Sequence, residues 1–107
     1  MIAEVVRFDL PANTTREAAR SLYDRSARGW LNNPNLVEKY YLFDAQRCEG
    51  GGIYIWRSRA AMHRWHGEEY RRMVASRYGS VPHIQTFEAL LHIDPVHAKM
   101  TGIDATE

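Results

Sequence analysis

The order in which apolar periodicity switches along these 107 residues constrains the fold more than any other feature of the chain. Ile2 to Leu10 are rich in β-branched and aromatic residues, and Pro11, with no N–H to give a ladder, stops them. Thr14-Thr15-Arg16-Glu17 then reads as a capping box, with Thr14 accepting from the Glu17 amide. At helical period, Ala18, Ala19, Leu22, Tyr23, Ser26, Gly29 and Trp30 share a face. Most of these side chains are small, which suits a helix lying close on a sheet or leaves room beneath it for a ligand, close packing being the commoner use. Asn32-Asn33-Pro34-Asn35 is a turn, and Leu36 to Ala45 alternates as a second strand. Leu36, Tyr40 and Leu42 fall on one side of it, and Val37, Tyr41 and Phe43 on the other. After a short loop, Gly52 to Trp56 reads as a third strand, apolar on both faces. Ser58 is an N-cap for a second helical region reaching Tyr78, with Gly67 as a kink or break and Gly79 as a left-handed C-cap. Beyond Pro82, His83 to Ile93 reads as a fourth strand stopped at Asp94-Pro95, and Val96 to Met100 as a last helical turn.

The result is a single α+β domain over residues 1–107 with the order β-α-β-β-α-β, the ferredoxin-like pattern of an antiparallel sheet carrying two helices on one face. The strands are apolar on the uncovered face as well, so a second copy is expected to close over it, giving an isologous homodimer with a barrel-like centre, a dimeric α/β barrel. Fourteen basic residues against thirteen acidic ones leave a net charge of +1, too little to draw in a nucleic acid or an anionic membrane. The lone Cys48 argues against a disulfide framework and for a reducing compartment, the cytoplasm. No apolar run approaches the ~18 residues of a spanning helix, and Met1-Ile2-Ala3-Glu4 does not open a signal peptide.

Three segments carry a resemblance: Pro34-Asn35-Leu36-Val37-Glu38-Lys39, Glu49-Gly50-Gly51-Gly52-Ile53-Tyr54-Ile55-Trp56, and the final apolar strand ending in Asp94-Pro95. In these the chain resembles the YdhR-like monooxygenases of the dimeric α/β-barrel superfamily. The resemblance implies a homodimer with a pocket in each subunit, between sheet and helices, for a small, flat, apolar molecule. It further implies oxygen insertion with no metal, flavin or haem cofactor. It carries no catalytic residue onto this chain.

Such chemistry needs a base to ionise a phenol or enol beside O2 in a dry pocket, and a polar group for the reduced oxygen. On a continuous second helix, Met62, His66, Glu69 and Met73 would lie within about 60° of one another, flanked by Trp65 and Tyr70, with His63 nearby. His66 and His63 are therefore the candidate catalytic residues. Tyr54, Trp65, Trp30, Tyr40, Met62 and Met73 are the candidates for holding an aromatic or polyketide-like substrate. Each has a plainer use: a histidine on an apolar face is commonly a satisfied core residue, and Trp30, Tyr40, Tyr41 and Trp56 are core or interface aromatics first. His63-x-x-His66 has the spacing of two metal ligands on a helix, but no acidic partner accompanies it, so no metal site is expected. The glycine run precedes a strand and does not open a helix, which disfavours anion cradling.

Two other kinds of function share this element order. An RNA-recognition module displays alternating aromatics on its third strand, as Tyr54 and Trp56 do, but its strand opens on a basic residue where this chain has Glu49. A binding subunit without chemistry, an isomerase or a haem-handling protein could also use the fold, since fold alone does not choose among them.

Overall fold

The computed structural model describes residues 1–104. Strand β1 (Ile2–Asp9) leads into helix α1 (Arg16–Leu31), and the hairpin of β2 (Leu36–Asp44) and β3 (Glu49–Trp56) follows. Helices α2 (Arg59–Trp65) and α3 (Glu68–Tyr78) precede β4 (His83–Glu88), and the short strands β5 (Leu91–Asp94) and β6 (Lys99–Gly102) end the described chain. The main sheet has the order β2-β3-β1-β4 and is antiparallel throughout, the ferredoxin-like arrangement that the sequence predicts.

Alternation assigns the sheet faces. Ile2, Glu4, Val6 and Phe8 of β1 are buried beneath the helices, whereas Arg7 and Asp9 on the other face are exposed. Phe8 stacks on Tyr78 of α3 at 4.3 Å between ring centres. Strand register then places Thr86, Glu4, Tyr54 and Lys39 in one row across all four strands, on the face beneath the helices. A carboxylate and an ammonium thus enter the core two strands apart, about 10 Å at ordinary strand spacing.

The glycine run of β3 makes that row possible. A Cβ at Gly51 would collide with the Val6 carbonyl, and its φ of +153° disfavours a side chain in any case. A Cβ at Gly50 would collide with the Tyr23 hydroxyl, and one at Gly52 would sit 3.2 Å from the Lys39 ammonium nitrogen. The missing side chains leave space for polar tips from α1 and β2.

Four local expectations are corrected. The N-cap of α1 is Thr15, whose hydroxyl accepts from the Ala18 amide, while the Thr14 hydroxyl donates to the Pro11 carbonyl. An irregularity between Leu36 and Glu38 shifts the register of β2, so Leu36 packs into the core with Tyr41 and Phe43 instead of siding with Tyr40 and Leu42. The second helical region is broken: His66 ends α2 with φ −119° and Gly67 is the N-cap of α3, so the stripe predicted for one continuous helix does not form. Finally, the strand predicted from His83 to Ile93 breaks at residues 89–90 into β4 and β5, which belong to different sheets, and Asp94-Pro95, which ends β5 as predicted, opens a turn into β6 instead of a helical turn over residues 96–100. The turn is built as at β2–β3. In each an Asp side chain accepts from the amide three residues on, Asp44 from Arg47 and Asp94 from His97, and the next residue is left-handed, Cys48 at φ 53° and Ala98 at φ 50°.

Candidate active site

A carboxylate on a strand otherwise made of core residues must find donors, because an unpaired polar group loses several kcal/mol on leaving water (about 2–7 by transfer). Glu4, 1% exposed, finds two. The Trp56 indole, which can only donate, gives its N–H to Glu4 Oε1 at 2.8 Å, and His66 Nδ1 lies 2.6 Å from the same oxygen. With Oε1 accepting, the proton of a neutral His66 belongs on Nδ1, and Nε2 becomes the bare acceptor. That nitrogen is fully buried and has no hydrogen-bond partner. His66 is brought there by the helix break: its own amide still bonds the Met62 carbonyl, and its ring turns inward off the end of α2.

Aromatic rings close over it. Tyr70 stacks on the imidazole at 3.7 Å between centres, and Tyr54, Trp56 and Trp30 meet it edge-on at 4.3, 5.1 and 5.6 Å. Burial holds the His66 pKa below its ordinary value, against the opposing pull of Glu4, so the ring is neutral at neutral pH. Burial likewise drives the Tyr54 and Tyr70 hydroxyls upward, and both stay protonated. Lys39 lies over the Tyr41 and Tyr54 rings, 3.8 Å from each centre, and burial pulls its pKa from 10.5 down to about 7.

The predicted site residues separate into three groups. His66, Tyr54, Trp30 and Met62 gather in or against this cluster, Met62 on the side of Thr86. Trp65 and Met73 line, with Trp30 and Tyr70, an outer groove of about 600 Å³ between α1 and the two later helices. His63 and Tyr40 belong to neither: His63 is exposed on α2, and Tyr40, 56% exposed, projects from the opposite face of the sheet. With His63 in solvent and His66 turned inward, the two do not converge on a metal, and the described residues contain no cluster of three or more potential ligands. The cavity predicted between sheet and helices exists beside Tyr54, Tyr70 and Trp30, but at about 40 Å³ it has room for little more than a water. A molecule larger than water reaches His66 only if these rings part.

Glu4, Lys39 and Tyr70 are the cluster's members that the sequence reading does not assign a role. The signal for the first two is phase: Glu4 falls in step with Ile2, Val6 and Phe8, and Lys39 in step with Tyr41 and Phe43.

No protein-family model matches the sequence, and no curated protein matches it. Solved structures do. A candidate antibiotic biosynthesis monooxygenase from Deinococcus radiodurans superposes with a TM-score of 0.66 at 14% identity, over 88% of this chain and 97% of that one. SnoaB, a cofactor-independent oxygenase from Streptomyces nogalater, gives 0.59 at 19% identity, over 82% and 91%. Rv0793 from Mycobacterium tuberculosis gives 0.60 at 17% identity, over 84% and 96%. The chain shares the fold of the antibiotic biosynthesis monooxygenases.

Proposed function

We propose that this protein is a cytoplasmic, homodimeric oxygenase that needs no metal, flavin or haem, close in type to the YdhR-like monooxygenases, and that it acts on a small aromatic or polyketide-like compound. The observation that carries the reading is His66 Nε2, an acceptor with no partner, sealed in aromatic rings and oriented through Nδ1 by Glu4. A base held by a second group is the arrangement that proton abstraction requires. His66 takes the proton of an acidic phenol or enol, Glu4 stabilises the resulting imidazolium, and the electron-rich anion reduces O2. For an anthrone, one O2 converts the CH2 to a carbonyl and releases one water, so the substrate supplies all the electrons. Four-electron reduction of O2 is thereby balanced without a cofactor. The neighbours' fold supports this reading, as does a groove of Trp30, Trp65 and Met73 suited to a planar ring system.

The test is O2 uptake by metal-free protein with anthrone or a naphthalenediol. Turnover is expected, with His66→Gln lower by about 10²-fold or more; no uptake, or uptake unchanged in His66→Gln, would overturn the reading. The His66–Glu4 pair also favours a second reading, an isomerase that only moves a proton. Solvent deuterium entering substrate without O2 consumption would select it.

A further inference from the structure

Lys39 is a buried lysine that forms no ion pair, although the charge of Glu4, two strands away in the same row, acts on it. No carboxylate among the described residues lies within ion-pair distance of its ammonium, whose neighbours are the faces of Tyr41, Tyr54 and, at 5.4 Å, Trp30. The Glu38 carboxylate, next in sequence, accepts instead from Tyr40. Lys39 also lines, with Trp30, Tyr41, Leu36, Val37 and Glu38, an open groove of about 320 Å³ between the end of α1 and β2. That volume matches a one- or two-ring compound. Trp30 and Tyr41 give the groove two aromatic walls, aliphatic side chains the rest, and Lys39 its basic group.

We propose that this groove binds a planar aromatic compound as its oxyanion, a phenolate or enolate, with Lys39 as the counter-charge and Trp30 and Tyr41 as the ring-binding walls. The inference rests on the oxygenase reading and deepens it by naming the group that holds the ionised oxygen of an acidic hydroxyaromatic while its anion meets O2. Trp30 joins the two sites, because it walls the Lys39 groove on one side and meets Tyr54 and His66 on the other. An ammonium already buried against rings is desolvated, so its attraction for an anion is stronger than that of a surface lysine.

The probe is 4-nitrophenol, whose ionisation is visible in its absorbance, with 4-nitroanisole as the partner that cannot ionise. Wild-type protein is expected to bind 4-nitrophenol with the bound ligand's pKa lowered by about 1–3 units, as for an acid beside a cation, and to bind 4-nitroanisole at least tenfold more weakly. Lys39→Met should abolish the shift while keeping the native circular dichroism; His66→Gln, whose side chain does not line the groove, should retain it. Equal binding of the two probes, no binding of either at millimolar concentration, or an undiminished shift in a folded Lys39→Met protein would overturn the proposal. The two-probe comparison on wild type decides even if Lys39→Met does not fold. Anion binding without O2 uptake would leave this site standing and remove the oxygenase reading, and O2 uptake without anion binding would do the reverse.

Discussion

One oxygen atom, Glu4 Oε1, organises the inner cluster, because both the Trp56 indole and the His66 imidazole point their nitrogens at it. Glu4→Leu is nearly isosteric and leaves two buried donors unpaired at about 1–3 kcal/mol each, so chemical denaturation should show a loss of roughly 2–6 kcal/mol. The pH dependence has a definite sign. His66 is held below its ordinary 6.5 by burial, among Glu4 of β1, Lys39 of β2, Tyr54 of β3 and Tyr70 of α3. The unfolded chain therefore takes up a proton first as pH falls, and stability drops from about pH 6.5 downward until the folded ring also titrates; His66→Gln should flatten that slope. Lys39 acts in a different window. Its folded pKa of about 7 lies under the ordinary 10.5, so the unfolded chain binds the extra proton between those values and stability rises with pH across them. Lys39→Met should remove that rise and stabilise the protein at pH 7 by about 1–3 kcal/mol, the mark of a residue kept at a cost to the fold. These residues were only half legible. His66 and Tyr54 stand out as a histidine and a tyrosine among apolar neighbours, but Glu4 and Lys39 show themselves only by being in phase with core residues, and sequence periodicity does not say which charges a strand face will tolerate.

Among the elements, β3 is the most tightly specified. Gly51→Ala would drive a methyl group into the Val6 carbonyl at a φ that disfavours it, and should abolish soluble folding. Gly52→Ala meets the Tyr40 carbonyl at 3.0 Å and the flexible end of Lys39 at 3.2 Å, a milder crowding that should cost stability yet allow folding, with Lys39 displaced and 4-nitrophenol binding weakened; circular dichroism and binding separate the two variants. β1, α1, the β2–β3 hairpin and the start of α2 are readable as elements, because each depends on neighbours within a few residues, although the α1 cap falls one residue later than the pattern predicts and the β2 irregularity turns Leu36 to the other face. The β5–β6 hairpin is not: Asp94-Pro95 is both a strand terminator and a turn opener, and only pairing with Lys99–Gly102, absent from local pattern, decides between them. The break at Gly67 is readable as a place but not in its effect, which is to swing His66 inward off the end of α2 and leave Met73 38% exposed.

At the scale of the molecule, the uncovered sheet face carries Tyr40 at 56% and Phe87 at 52% exposure beside Val5, Ile53 and Ile55, and Leu91, Ile93 and Met100 of the hairpin stand out from it. A face of this kind is expected to pair with its counterpart, and Tyr40, read from sequence as a pocket residue, fits that interface better. Sedimentation at micromolar concentration should give a dimer, and Tyr40→Glu with Phe87→Glu a monomer. The inner cluster, by contrast, belongs to the single chain: Glu4, Trp56 and His66 come from β1, β3 and the α2–α3 junction, 62 residues separating its ends, so the proposed base is assembled only when the whole domain has closed. Nitrogen NMR of the His66 ring observes that base directly. At neutral pH the account predicts a neutral imidazole with the proton on Nδ1 and a bare Nε2; an imidazolium, or the proton on Nε2, would contradict it.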